Sequence, residues 1–168
     1  MRKTILLLAL LLLFCGWKNK TNSKDGCTVA TNFLTFYEAN YKQIYQRDEF
    51  VYEPYYRVNF AEVEKLSERL KLKEYFTEEF RKNFFKKYQL IDEQLKKEPQ
   101  EDGTIDGFEA DQFLNTQEYD EILAIIKALN FRCSSKKDLV FVTFKKGYTI
   151  QFQIVDGKIN AVENKLRN

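Results

Sequence analysis

Residues 139–164, LVFVTFKKGYTIQFQIVDGKINAVEN, constrain this chain more than any other stretch. From Tyr148 apolar and polar side chains alternate strictly. Tyr148, Ile150, Phe152 and Ile154 fall on one side, and Thr149, Gln151 and Gln153 on the other. A period of two belongs to a strand with one buried face. Lys146-Gly147 and Asp156-Gly157 stand where tight hairpin turns need a residue at positive φ. The pattern predicts three consecutive antiparallel strands whose apolar face must be covered by something else in the chain.

Helices upstream can supply that cover. Over Cys27–Arg47, Val29, Phe33, Phe36, Asn40 and Ile44 recur at helical spacing, with Tyr37, Tyr41 and Tyr45 stacked alongside. Aromatics in this arrangement form a core and its rim, although a tyrosine ladder also suits a sugar- or partner-binding face. Asp48–Arg57 breaks the period at Pro54 and reads as a connection packed by Tyr52, Tyr55 and Tyr56. Asn59 followed by Glu62 is a capping box that opens a second helix, with Val63, Leu66 and Leu70 as its stripe. Thr77 opens a third helix, which runs to about Lys97 and buries Phe80, Phe84, Tyr88, Ile91 and Leu95. Its other face mixes Lys and Arg with Glu in pairs such as Glu78–Lys82, which marks a solvated surface more than a lipid-binding one.

Glu98–Gly107 is a loop by composition, and Phe108–Asp120 is an irregular segment dense in carboxylates and amides. Its Asp106, Asp111, Glu118 and Asp120 are candidate bases, or else short polar side chains that cap turns. Glu121–Phe131 suits a helix and equally a strand buried on both faces, since periodicity cannot separate the two in so short an apolar run. Cys133–Asp138 reads as a turn. Helices first and an antiparallel meander last give an α+β fold, with N-terminal helices packed on a curved sheet.

The first sixteen residues, MRKTILLLALLLLFCG, join a basic pair, Arg2 and Lys3, to an apolar run too short to span a bilayer comfortably. That is the composition of a secretory leader. Cys15 closes the run and is followed by a polar tether, residues 17–26, which resembles a bacterial lipoprotein signal with Cys15 as the lipidated residue. Leu12 suits the corresponding −3 position, whereas Phe14 stands where Gly, Ala or Ser is usual. Ordinary cleavage after Gly16 or after Ser23 is the alternative. Residues 27–168 then form a single domain, exported to the periplasm or anchored by lipid, and the membrane is met only through leader or lipid.

Removing Arg2 and Lys3 with the leader leaves 25 basic residues against 25 acidic ones. This balance argues against a nucleic-acid partner, which calls for a basic surface. The absence of histidine excludes imidazole catalysis and removes the commonest metal ligand. No zinc spacing, phosphate-binding glycine loop or nucleophile elbow occurs, so no metal, cofactor or catalytic set is expected. Cys27 and Cys133 are the cysteines left in the domain. They pair across an oxidising compartment or remain buried thiols, and a bond requires Cα atoms within about 7 Å.

Four segments together, FLTFYEANY, EYFTEEFRKNFF, DQFLNTQEYD and VFVTFKKGYTIQFQIVDGKINAVEN, resemble a domain family of unknown function found in exported bacterial proteins and lipoproteins. That family has the cone-shaped fold of the nuclear transport factor two superfamily, also called cystatin-like. The chain departs from it at Gln112, where Asp-Pro-Phe is usual, and at Ile159, where Trp is usual. The resemblance makes Glu121–Phe131 a strand. It also implies a cone pocket, for which Asp111, Gln117, Tyr37 and Tyr41 are the candidate lining residues, and it carries no established catalytic set.

Three functions are compatible with these residues. One is a non-catalytic envelope protein that binds a protein or small ligand through its cone or sheet. Another is a small-molecule isomerase or lyase with a pocket carboxylate as base. The last is an immunity or inhibitor protein. A carboxylate deep in an apolar pocket beside a tyrosine hydroxyl would favour chemistry, and a cone filled by phenylalanine would favour binding.

Overall fold

The computed structural model describes residues 25–46, 48–105, 108, 110–114, 116–144 and 147–166. The leader, Cys15 and all but the end of the tether lie outside them.

The fold is α+β. Helix α1, Gly26–Ile44, is capped by Asp25, whose carboxylate accepts from the Cys27 amide. One stripe of it, Val29, Ala30, Phe33, Leu34, Tyr37, Tyr41 and Ile44, is buried. It lies across the inner face of a four-stranded antiparallel sheet made of β3 (Arg132–Lys136), β4 (Leu139–Thr143), β5 (Tyr148–Val155) and β6 (Lys158–Leu166). The strands pair in chain order, as a meander must. Asp156 and Gly157 both sit at positive φ in the β5–β6 hairpin, and Lys137 does so between β3 and β4.

Between α1 and the sheet come, among the described residues, a hairpin and four helices, the last of which, Tyr119–Lys127, directly precedes the sheet in the chain. The hairpin is β1 (Phe50–Tyr52) paired with β2 (Tyr56–Val58). Next are α2 (Phe60–Arg69), the single turn α3 (Leu72–Tyr75) and α4 (Glu78–Lys97). Asn59 caps α2 through the Glu62 amide, but Glu62 turns instead to Lys65 and Arg69, so only half the capping box forms. Thr77 caps α4 at the Phe80 amide and also fastens that helix to the sheet. Its amide donates to the Ile159 carbonyl, and its hydroxyl meets the Asn160 side chain at 2.6 Å. Asn160 is the extra residue of a β-bulge opposite Gln153 and Ile154, and its own amide donates to Gln153.

Several expectations are corrected. Residues 121–131 do not form a strand. Tyr119–Lys127 is a helix, α5, which packs on α1 with Ile122 and Ile126 inward. Leu129 ends it in the left-handed region and stays exposed, which a strand buried on both faces could not allow. Residues 133–136, read as part of a turn, belong instead to strand β3, so the strand ahead of the three-stranded meander is Arg132–Lys136 and not 121–131. The connection over residues 48–57 contains the β1–β2 hairpin, with Pro54 in its turn, where a missing amide costs nothing. The outward row of β5 is also less open than its polarity implied, since Thr149 and Gln151 are both buried. Cross-strand neighbours cover them: Gln151 lies between Phe141 and Glu163 and donates to the Glu163 carboxylate at 3.0 Å.

The inward row of β5 meets α1 as the alternation requires. Phe152 and Ile150 are fully buried, and Phe33 of α1 sits amid Phe76, Phe113 and Phe152 with ring centroids 4.9, 5.4 and 6.3 Å away. The interior between helix and sheet is filled with aromatic rings.

Candidate functional site

Cys27 opens α1 and Cys133 lies on β3, and the structure joins them by a disulfide with Cα atoms 5.9 Å apart. The bridge is possible because the first turn of α1 comes so close to β4. A Cβ on Gly26 would stand 2.6 Å from the Val140 side chain.

Nearly three turns further along α1 the polar chemistry begins. Tyr37 belongs to the buried stripe, and its hydroxyl donates to Asp111 Oδ2 at 2.7 Å. The other carboxylate oxygen, Oδ1, accepts from the amides of Phe113 and Leu114 at 2.9 and 2.6 Å. This is the turn-capping use of a short acidic side chain. Asp111 is 1% exposed. Burial pushes its carboxyl above the ordinary range, and the three hydrogen bonds oppose that shift without cancelling it. The phenols around it move the same way. Tyr37 is raised well above the usual value, first by burial and then by the Asp111 charge, and Tyr41 is raised for the same two reasons. Tyr148, on the first position of β5, is pushed up to about 12 by burial and by Asp111. The shifts of Tyr37 and Asp111 both favour the protonated forms, and the phenol keeps its proton and donates a hydrogen bond to Asp111.

Of the four predicted pocket residues, the structure brings Tyr37, Tyr41 and Asp111 together and leaves Gln117 outside. Gln117 is exposed in the turn before α5 and lines neither of the spaces beside them. Tyr41 stacks between Tyr45 and Tyr119 at 5.1 and 5.2 Å, and its hydroxyl is buried with no hydrogen-bond partner among the described residues.

Space lies beside this pair and not upon it. A niche of about 20 Å³ is lined by Tyr37, Tyr45, Glu49, Gln112 and Phe113 together with aliphatic side chains. That is room for a single water molecule. Tyr45, Glu49 and Gln112 also line a larger cavity of about 240 Å³, whose remaining walls include Phe50, Tyr56, Ile105 and Phe108. Gln112 is held in place by donating to the Tyr88 hydroxyl at 3.1 Å. Phe50 and Phe108 brace each other edge to face at 4.9 Å, and both pack on Tyr88.

Tyr45 stands in the tyrosine ladder and Tyr56 among the residues packing the connection, but the sequence assigns Glu49, Phe50, Tyr56 and Gln112 to no pocket. Glu49, Phe50 and Tyr56 belong to a stretch that reads as a plain connection, whose two strands are only three residues long. Among the described residues no cluster of His, Cys, Asp and Glu is arranged to hold a metal ion, and no helix is long and apolar enough to cross a membrane. Comparison with known proteins adds no relative to this geometry: no family model, no curated protein and no solved structure matches the chain.

Proposed function

We propose that this chain is a non-catalytic exported binding domain, with the cone fold of the nuclear transport factor two superfamily, free in the periplasm or held at the envelope by lipid on Cys15. The basic and apolar composition of the leader supports export. So does the Cys27–Cys133 bridge, because such bonds persist in oxidising compartments. The ligand is a small molecule, and it occupies the 240 Å³ cavity beside Glu49.

The observation that carries this reading is the closure of Asp111. A general base must reach the proton that it removes. Here three donors from the protein occupy both carboxylate oxygens, and Asp111 lines neither the niche of about 20 Å³ nor the larger cavity. The carboxylate fastens the turn at residues 111–114 to α1 and is not presented to a ligand.

An isomerase or lyase with Asp111 as its base is the second reading. The raised carboxyl and its phenol partner favour it. Chemical-shift mapping against a fragment collection separates the two. Shifts at Tyr45, Phe50, Tyr56 and Gln112 with Asp111 undisturbed support binding. Hydrogen–deuterium exchange at a carbon acid, lost in Asp111→Asn, would transfer the case to the enzyme. Fractionation with intact-mass analysis tests export. An uncleaved leader in the cytosolic fraction would refute it, and a processed chain without lipid mass would refute only the anchor.

A further inference from the structure

A groove separate from the cavity lies between α1, α3 and the β5–β6 turn. Its volume is about 330 Å³, and it is lined by Val29, Asn32 and Thr35 of α1, Glu74 and Tyr75 of α3, and Gly157 of the turn. None of these residues lines the cavity beside Glu49. Val29, Asn32 and Thr35 follow one another at steps of three along α1, which puts them on one wall. Gly157 adds backbone without a side chain, and a Cβ there would meet nothing within 4 Å. The turn is therefore open to close approach.

The lining divides by chemistry. Tyr75 is half-buried and held by two rings: it stacks on Phe36 at 5.2 Å and meets Phe33 edge to face at 5.6 Å. A side chain fixed in this way loses little freedom when a ligand packs on it. With Val29 it gives the groove an apolar side. Asn32 and Thr35 are exposed, and their side chains make no hydrogen bond among the described residues. The amide offers donors and an acceptor, the hydroxyl can do either, and the Glu74 carboxylate only accepts. Lys71 steadies that carboxylate at 3.4 Å.

We infer that this groove binds a sugar, with one pyranose ring against Tyr75. The site is additional to the cavity and does not depend on what the cavity holds. A pyranose joins a C–H face, which suits an aromatic side chain, to a rim of hydroxyls that are each donor and acceptor. The groove holds both halves of that recognition set. Tyr75 and Val29 meet the ring, and the amide, hydroxyl and carboxylate of Asn32, Thr35 and Glu74 meet the rim. A wholly apolar ligand would strip water from those three side chains and return no hydrogen bond, which is costly. The volume stands at the lower end of the roughly 300–1,000 Å³ of ligand pockets, room for one or two sugar rings.

The test titrates the methyl β-glycosides of glucose, galactose, mannose and N-acetylglucosamine into the full-length chain as processed by the cell, followed by its amide resonances. Tetrahydropyran-2-methanol, the same ring without the ring hydroxyls, is the control. At least one glycoside should shift Asn32, Thr35, Tyr75 and Gly157 saturably and bind at least about tenfold more tightly than the control, the factor expected of one or two hydrogen bonds. Asn32→Leu and Thr35→Val, both at exposed positions, should each weaken it several-fold. Tyr75→Leu should abolish binding, and if that variant does not fold, the two α1 variants decide alone. A linear tetramer of the bound sugar separates the sources. Tighter binding than the monomer assigns the groove to a glycan chain and equal binding to a free sugar, and both uphold the pyranose. Equal binding of glycoside and control, binding that survives both α1 variants, or no shift at the groove overturns the proposal. Glycoside shifts confined to Tyr45, Phe50 and Tyr56 also overturn it, while leaving the cavity as a binding site.

Discussion

Tyr37 and Asp111 stand 74 residues apart in the chain, and a single hydrogen bond of 2.7 Å ties the middle of the first helix to the turn that precedes the last one. The bond is local in its chemistry and long-range in its effect. Without it the turn keeps its own Asp111 bonds to the Phe113 and Leu114 amides, and its tie to α1 falls to the packing of Phe113 on Phe33 and Tyr37.

Tyr37→Phe should therefore destabilise the fold by about 1.5–3 kcal/mol, the usual worth of a hydrogen bond to a charged group. Asp111→Ala should cost at least as much, since it also strips the Phe113 and Leu114 amides of their acceptor. Urea melts of both variants and of the double variant measure this. Strict additivity would show that the two side chains do not act as one unit.

The same carboxylate predicts a pH dependence. Its native pKa is raised, so the folded state holds the proton more tightly than the unfolded chain. The associated stability is fully present below the ordinary aspartate value of about 3.9, and it is lost as pH rises through the higher native value. Melts of wild type and Asp111→Asn across that window should diverge with rising pH, in favour of the asparagine variant. A constant difference would place the charge elsewhere.

Reduction of the Cys27–Cys133 bridge should be costly because it closes a long loop. At a separation of 106 residues the chain-entropy model gives about 4.7 kcal/mol as an upper figure. Comparing thermal unfolding with and without reductant, and in Cys27→Ser, measures it. A change of under about 1 kcal/mol would mean that the unfolded chain is already held compact.

Gly26 occupies the first helical position, where alanine would ordinarily be the better residue by about 1 kcal/mol. The Val140 methyl 2.6 Å from its missing Cβ reverses that sign. Gly26→Ala should destabilise by about 1–3 kcal/mol through overpacking, and adding Val140→Ala should recover part of the loss. No recovery in the double variant would show that the crowding lies elsewhere.

Phe152→Ala should cost about 3–5 kcal/mol, as the cavity would open in the fully buried core beside the Phe33 ring. Gln151→Ala, on the opposite face, should cost about 1 kcal/mol, because its amide bonds Glu163 in a site only 6% exposed. Paired denaturant melts read the two faces of β5 against each other, and equal losses would mean that both faces are core.

The alternation over residues 148–154 was enough to place β5, its inward row and the β5–β6 turn, because a strand between two partners leaves its period in the sequence. Tyr37 and Tyr41 were legible as aromatics at helical spacing, whereas Asp111 stood as one carboxylate among several in an irregular segment. Residues 121–131 were not legible. Both helix and strand bury Ile122 and Ile126, and what decides is the docking on α1, which no local pattern records. β3 was hidden because an edge strand with Arg132, Ser134 and Lys136 outward carries the composition of a turn. Glu49 escaped notice because its burial depends on a hairpin of two three-residue strands, below the length at which alternation can be counted.

The position of the disulfide also decides how the domain bears load. A pull applied to the chain ahead of Cys27 enters the fold at the second residue of α1 and passes directly through sulfur into β3. The helix behind that point carries no tension and cannot be peeled from the sheet turn by turn. Force would instead arrive at an edge strand bonded along its length to β4, where several backbone hydrogen bonds share it. Oxidised, the domain should resist stretching from its N-terminal end as a sheet does. Reduced, it should give way as a single helix would.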